Sequence, residues 1–140
     1  MRNKHNELKR ITRNFSMAEI ILKEESYQLM GICMEVHREL GMGFKEILYK
    51  DAIELELKEK NIIYEREREF KIAYKGKILA HKFYADFVIF DSIILEVKST
   101  SFIVNNFVVQ TINYLKASGL KLGIIANFGE KSLTYKRIVF

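Results

Sequence analysis

Proline is absent from this chain, cysteine occurs once, and glycine appears only 7 times in 140 residues. With no proline and glycines mostly where elements should end, the pattern implies short connections rather than domains on linkers. The single Cys33 lies in a helical pattern, which excludes an internal disulfide framework and a cysteine-ligated zinc site within the monomer. No apolar run reaches the length of a membrane span, and no signal-peptide pattern opens the chain. A reducing cytoplasm is the expected compartment. Internal repeats and low-complexity tracts are also missing.

What is present suits one domain with its own core. The formal net charge of +5 permits contact with nucleic acid without demonstrating it. Residues 1–17, with Arg2, Lys4, Lys9, Arg10 and Arg13, read as a flexible basic arm, and Met17 is a second candidate start. Residues 18–140 read as a single domain. Helical spacing of Leu29, Cys33, Val36 and Leu40 predicts a first helix from about Ala18 to Leu40. A second runs from Lys45 to Lys60, with Leu48, Ala52 and Leu55 as its core stripe. Strands are expected at Ile62 to Tyr74, Ile78 to Phe90 and Ile93 to Ser99. The last of these is apolar on both faces and hence central. A third helix starts near Asn105, read as its N-cap, and ends at Ser118. Strands at Gly123 to Phe128 and Leu133 to Phe140 complete an ααβββαββ order. That order gives an α/β fold with a central mixed sheet flanked by helices, a helical crossover supplying one parallel pair.

Charge in the wrong place carries the functional signal. Asp86 and the run Glu96-Val97-Lys98 lie in two apolar strands joined near Asp91-Ser92. Charges in a buried sheet are costly unless paired or bound to a metal. Glu96 and Lys98 share a face, with Val97 on the other. A two-residue loop would set Asp86 opposite Val97. For Asp86 to meet Glu96, the connection must be the three residues Phe90 to Ser92, or a bulge must intervene. Two converging carboxylates are hard oxygen donors that suit Mg²⁺ or Mn²⁺, and a neighbouring lysine can orient water and stabilise phosphoryl charge.

Asp86 with Glu96-Val97-Lys98 in this element order resembles the PD-(D/E)xK nuclease superfamily, with its restriction-endonuclease-like core. Gly43-Phe-Lys-Glu46-Ile-Leu-Tyr49 matches the pattern that names the GxxExxY group. Val36-His37-Arg38-Glu39-Leu40-Gly41, Gln110 through Tyr114-Leu115-Lys116, and Leu122-Gly123 through Asn127-Phe128-Gly129 to Lys136-Arg137-Ile138 extend the resemblance over about Ile20 to Phe140. The resemblance implies a metal-dependent nuclease, a hydrolase of phosphodiester bonds in nucleic acid, with DNA as the expected substrate and Mg²⁺ (or Mn²⁺) as cofactor. It makes Asp86, Glu96 and Glu46 metal ligands, with the Val97 backbone carbonyl as a further one, and Lys98 the catalytic lysine. Gln110 and Tyr114 match the Gln-x-x-x-Tyr element of the RecB-like branch and would position substrate. Tyr49, on the same helix face as Glu46, would join them or brace Glu46. Two departures stand out: Ala85 replaces the proline of the superfamily name, and no histidine precedes Gln110. The competing reading is a catalytically silent nucleic-acid-binding or protein-interaction module on the same fold, with a homodimer or another protein as partner.

Blander roles are expected elsewhere. His37 reads as a hydrogen-bonded packing residue and Cys33 as buried and inert. The run Glu65 to Glu69 reads as solvated strand surface whose alternating charges pair with neighbours. Lys116 and Lys121 suit the end of the third helix through its dipole.

Overall fold

The computed structural model describes residues 22–140. The basic arm 1–17, the alternative start at Met17 and the expected helix start at Ala18 lie outside the described residues.

Helix α1 spans Lys23–Leu40 and buries Leu29, Ile32, Cys33 and Val36 on one face. Helix α2 spans Glu46–Glu59 and buries Tyr49, Lys50, Ile53 and Leu57. Of the stripe expected at Leu48, Ala52 and Leu55, Ala52 packs half-buried against the core, but Leu48 and Leu55 are exposed and the buried face lies one to two positions on. Apolar residues lie on several sides of α2, and packing of Tyr49 against Phe128 at 4.5 Å selects the buried one.

Strands β1 (Tyr64–Tyr74), β2 (Lys77–Ile89) and β3 (Ile93–Lys98) follow, then helix α3 (Asn105–Ser118) and strands β4 (Leu122–Asn127) and β5 (Thr134–Val139). Asn105 is the first helical residue of α3 rather than its cap, a place taken by Val104. The sheet order is β1-β2-β3-β4-β5, with β3 central as expected. Only β3 and β4 run parallel, because α3 carries the chain across between them. The α/β architecture and its mixed sheet are those anticipated from the element order.

Two apolar layers sandwich the sheet. On one side α1 and α2 cover Phe87, Ile89, Leu95, Val97, Ile124 and Phe128. On the other, α3 covers Ala85, Val88, Ile94, Ile125 and Ile138. The helix sits close: a Cβ at Gly123 would lie 2.5 Å from the Thr111 methyl group, so only glycine lets α3 approach β4 this far. That approach fixes the height of Gln110, next to Thr111, above the sheet.

Ala85 and Phe87 should share a face, being two residues apart, yet they belong to opposite layers. The alternation breaks at Asp86. On β1 the residue opposite is Glu67, whose φ of +54° is a left-handed conformation in mid-strand. Here the β1–β2 ribbon turns, so that Phe83 leaves the α1–α2 side and stacks on Tyr114 of α3 at 4.3 Å.

Candidate active site

Phe90, Asp91 and Ser92 form the connection between β2 and β3, with Ile89 opposite Ile93 and Phe87 opposite Leu95. This is the three-residue link that Asp86 needs to face Glu96. The backbone ladder then stops, and carboxylates replace it. The Asp86 N–H donates to Glu96 Oε1 at 3.3 Å, and the Val97 N–H donates to Asp86 Oδ2 at 2.8 Å. Both groups of one strand residue point to the same side, so the Val97 carbonyl also faces this gap. The gap between β2 and β3 thus gathers two carboxylates and one carbonyl.

Cations approach from both layers. From α2, Lys50 Nζ donates to Asp86 Oδ1 at 3.0 Å and to Glu67. Burial alone would lower the Lys50 pKa, but hydrogen bonds to Glu67 and Asp86 raise it above the ordinary lysine range. From the α3 side, Lys98 Nζ lies 3.4 Å from Gln110 Oε1 and 4.5 Å from the Phe107 ring centre. Gln110 donates in turn to the Tyr114 hydroxyl at 2.9 Å, a pair one helical turn apart. Burial, then the negative charges of Glu96 and Asp86, push the Tyr114 hydroxyl upward in pKa.

Glu96 is only 3% exposed. Burial first, and then the adjacent charge of Asp86, push its carboxyl up to about 9. Without a further cation, Glu96 therefore holds its proton at neutral pH. An ion in the gap would reverse that preference, which is how a buried pair of acids accommodates a metal. The donor set is all oxygen and fits a hard divalent cation held by Asp86, Glu96 and the Val97 carbonyl. Among the described residues, no three Asp, Glu, His or Cys side chains converge on one point. Glu46, at the start of α2 and half-buried, does not complete a three-carboxylate group with Asp86 and Glu96.

The structure corrects the expectation for Tyr49. It is fully buried and contacts backbone: its hydroxyl donates to the Gly41 carbonyl at 2.6 Å and accepts from the Phe44 N–H at 3.2 Å. Tyr49 braces the segment ahead of Glu46 and cannot position substrate by contact. Ser99 ties the same segment to the end of β3 through the Phe44 carbonyl at 2.7 Å. His37 and Cys33 are as expected: His37 Nε2 bonds the Glu130 carbonyl at 2.8 Å, and burial pushes the Cys33 thiol up to about 12.

Three contributors escaped sequence reasoning. Lys50 sits beside Tyr49 on the buried face of α2, and placing the stripe one position away had turned it to solvent. Glu67 was absorbed into an alternating charged run, although Arg66, pairing with Asp51 and Glu54 of α2, and Lys82, pairing with Glu69, do behave as that run implied. Asn127 is the third. It is fully buried and level with Lys98 in the parallel register. Its Oδ1 accepts from the N–H groups of Thr100 and Gly129, while Nδ2 donates to the Thr100 carbonyl at 3.0 Å. A Cβ at Gly129 would sit 2.1 Å from that carbonyl oxygen, so the two loops touch backbone to backbone. This clamp fixes the chain just beyond Lys98. A cavity of about 460 Å³, lined by Met42, Ser101, Lys131 and Thr134 among others, adjoins the clamp rather than the carboxylates.

No curated protein sequence matches the chain significantly. The crystal structure of SSO0001 is similar to it, with a TM-score of 0.54 and 22% identity over 67% of this chain. The similar part spans half of that protein, and the likeness is one of fold. The described helices are too short or too polar to cross a membrane. The sequence pattern of the PD-(D/E)XK nuclease superfamily matches residues 23–138, a stretch that contains β1 to β4, all but the last residue of β5, and both sides of the Asp86–Glu96 gap. By that match the chain belongs to the PD-(D/E)XK nuclease superfamily.

Proposed function

We propose that this protein is a metal-dependent nuclease that hydrolyses phosphodiester bonds of DNA, of the GxxExxY kind and nearest in its site to the RecB-like branch. The observation that carries the reading is the forked end of β2 and β3. There Asp86 and Glu96 converge while Lys98 stands alongside, held toward Gln110. The Gly43 to Tyr49 pattern and the Gln110–Tyr114 pair support the finer assignment.

Asp86, Glu96 and the Val97 carbonyl would hold Mg²⁺ or Mn²⁺, with Glu46 contributing through water. When bound, the cation would polarise the scissile phosphoryl group and favour ionisation of water. Lys98 orients the attacking water and offsets charge developing on phosphoryl oxygen. Gln110, braced by the Tyr114 hydroxyl, keeps the lysine from swinging toward solvent. Lys50 fixes the rotamer of Asp86 from the opposite layer, so one carboxylate oxygen stays directed at the gap.

The test compares DNA cleavage in Mg²⁺ and in Mn²⁺ by wild type, Asp86→Ala and Lys98→Ala. Both variants should lose at least about 100-fold in rate. Equal activity in all three would remove this site from consideration. A second reading rests on the lack, among the described residues, of a third carboxylate beside Asp86 and Glu96: a silent nucleic-acid-binding module, or a docking partner for protein, on the same fold. It requires salt-sensitive binding, or no nucleic-acid binding at all, with no cleavage in either metal.

A further inference from the structure

Beyond Asp86 the β1–β2 ribbon leaves the body of the protein. β3 pairs with β2 only at Phe87, Val88 and Ile89, so Lys77 to Asp86 have β1 alone for a partner strand. Phe70 stacks on Phe83 at 5.1 Å and Phe83 in turn on Tyr114, which anchors the base of the ribbon on α3. Past that anchor Ala73 to Lys82 are all exposed, on both faces. Tyr74 is 60% exposed, Ile78 61% and Leu79 43%. From Lys77 to Asp86 the strand extends about 30 Å at roughly 3.3 Å per residue.

The charge on this arm has one sign. Between Lys71 and Lys82 there are four lysines and one histidine, and no acid. Lys71 and Lys82 lie directly opposite each other, an arrangement that costs stability when nothing neutralises it. Glu69 pairs with Lys82 at 2.6 Å and is felt by Lys71 as well, so one carboxylate serves two lysines. A solubility device works with mixed signs, whereas a one-sign ribbon calls for an anion. A two-stranded β-ribbon fits the major groove of B-form DNA, about 12 Å wide, and does not fit the deep, narrow major groove of A-form RNA.

We propose that the arm formed by Lys71 to Lys82 lies in the major groove of double-stranded DNA, with Lys71, Lys75 and Lys77 on flanking phosphates. This rests on the nuclease reading and names its substrate class: duplex DNA, gripped within about one helical turn of the Asp86–Glu96 gap. Tyr74, Ile78 and Leu79 supply apolar contact at the groove floor, where thymine methyl groups lie.

The experiment uses the full chain in chelator, which prevents cleavage, and reads fluorescence anisotropy of a labelled 20-base-pair DNA duplex, the matching single strand and an RNA duplex across a salt series. The variant replaces three exposed residues together: Lys71→Gln, Lys75→Gln and Lys77→Gln. Wild type should bind the DNA duplex most tightly. The variant should bind it about 100-fold more weakly at 0.1 M salt, with a log–log salt slope smaller by roughly 2 to 3. Equal affinity and slope in the two proteins would overturn the arm, as would preference for single strands or for RNA. Absence of duplex binding, with self-association altered by Tyr74→Ala and Ile78→Ala, would also overturn it and mark a protein contact. Cleavage separates the two claims. Duplex binding lost with the lysines, but no cleavage in any metal, sinks the nuclease reading and leaves the arm. Cleavage with unchanged variant binding does the reverse.

Discussion

Along β3, the edge facing β4 is paired through six consecutive residues, whereas the edge facing β2 is paired through only three. On the first edge the neighbours are apolar from Leu122 to Ala126, with Asn127 at the end, and the hydrogen bonds of the ladder run from backbone to backbone. On the second the strands part after Leu95, and the side chains of Asp86 and Glu96 take over N–H groups that a ladder would have used. One strand thus serves as sheet core and as wall of a polar cleft. The contrast shows how an acidic site can be built inside a sheet: the ladder ends early, and the freed donors hold the acids in place.

Three changes would break or sharpen that contrast. Among the substitutions, the largest loss of stability should come from the fully paired edge. Ile124→Ala removes a completely buried side chain and should cost about 2–5 kcal/mol in urea unfolding, with the metal-induced rise in Tm intact. Loss of that rise would mean that the two edges are not separable.

The open edge should respond to pH instead. Glu96 has a folded pKa raised to about 9 from an ordinary 4.5, so the metal-free folded state holds a proton that the unfolded state releases. Its contribution is complete below pH 4.5 and fades as pH climbs through 9. Stability of the metal-free protein should fall over that window, by at most about 1.4 kcal/mol per pH unit from this group. Added Mg²⁺ should stabilise more at pH 8 than at pH 6, because the ion competes with the proton. Glu96→Gln should flatten both trends, and matching slopes in variant and wild type would defeat the account.

The smallest effect is expected for Tyr49→Phe, which deletes a bond to the Gly41 carbonyl and one from the Phe44 N–H. About 1 kcal/mol of stability should go, with duplex binding unchanged. Reduced DNA binding at unaltered stability would restore Tyr49 to the substrate.

Much of this was readable from residue order. The strand pattern around Asp86 and Glu96 called for a three-residue link or a bulge, because the period of two offers the acids no meeting across a regular two-residue hairpin, and the link is what forms. The parallel pair followed from a helix placed between two apolar strands. The rest was hidden for physical reasons. In α2, apolar residues lie on several sides, and only the far-off Phe128 decides that Tyr49, and with it Lys50, turns inward. Glu67 looks like any member of an alternating charged run, and its positive φ has no glycine or asparagine to announce it. Glu46 shows what a motif match supplies: the pattern names the residue, but among the described residues no three-carboxylate group forms, which is why its proposed role runs through water.

The link formed by Phe90, Asp91 and Ser92 touches neither acid, yet it sets which residue faces which along the whole hairpin. A slip that paired Ile89 with Ser92, or Phe90 with Ile93, would shift every partner by one and bring Leu95 or Val97 opposite Asp86. Such a slip would leave each chemically active residue in the chain and still dismantle the centre. The turn is therefore part of the site although it carries none of its chemistry.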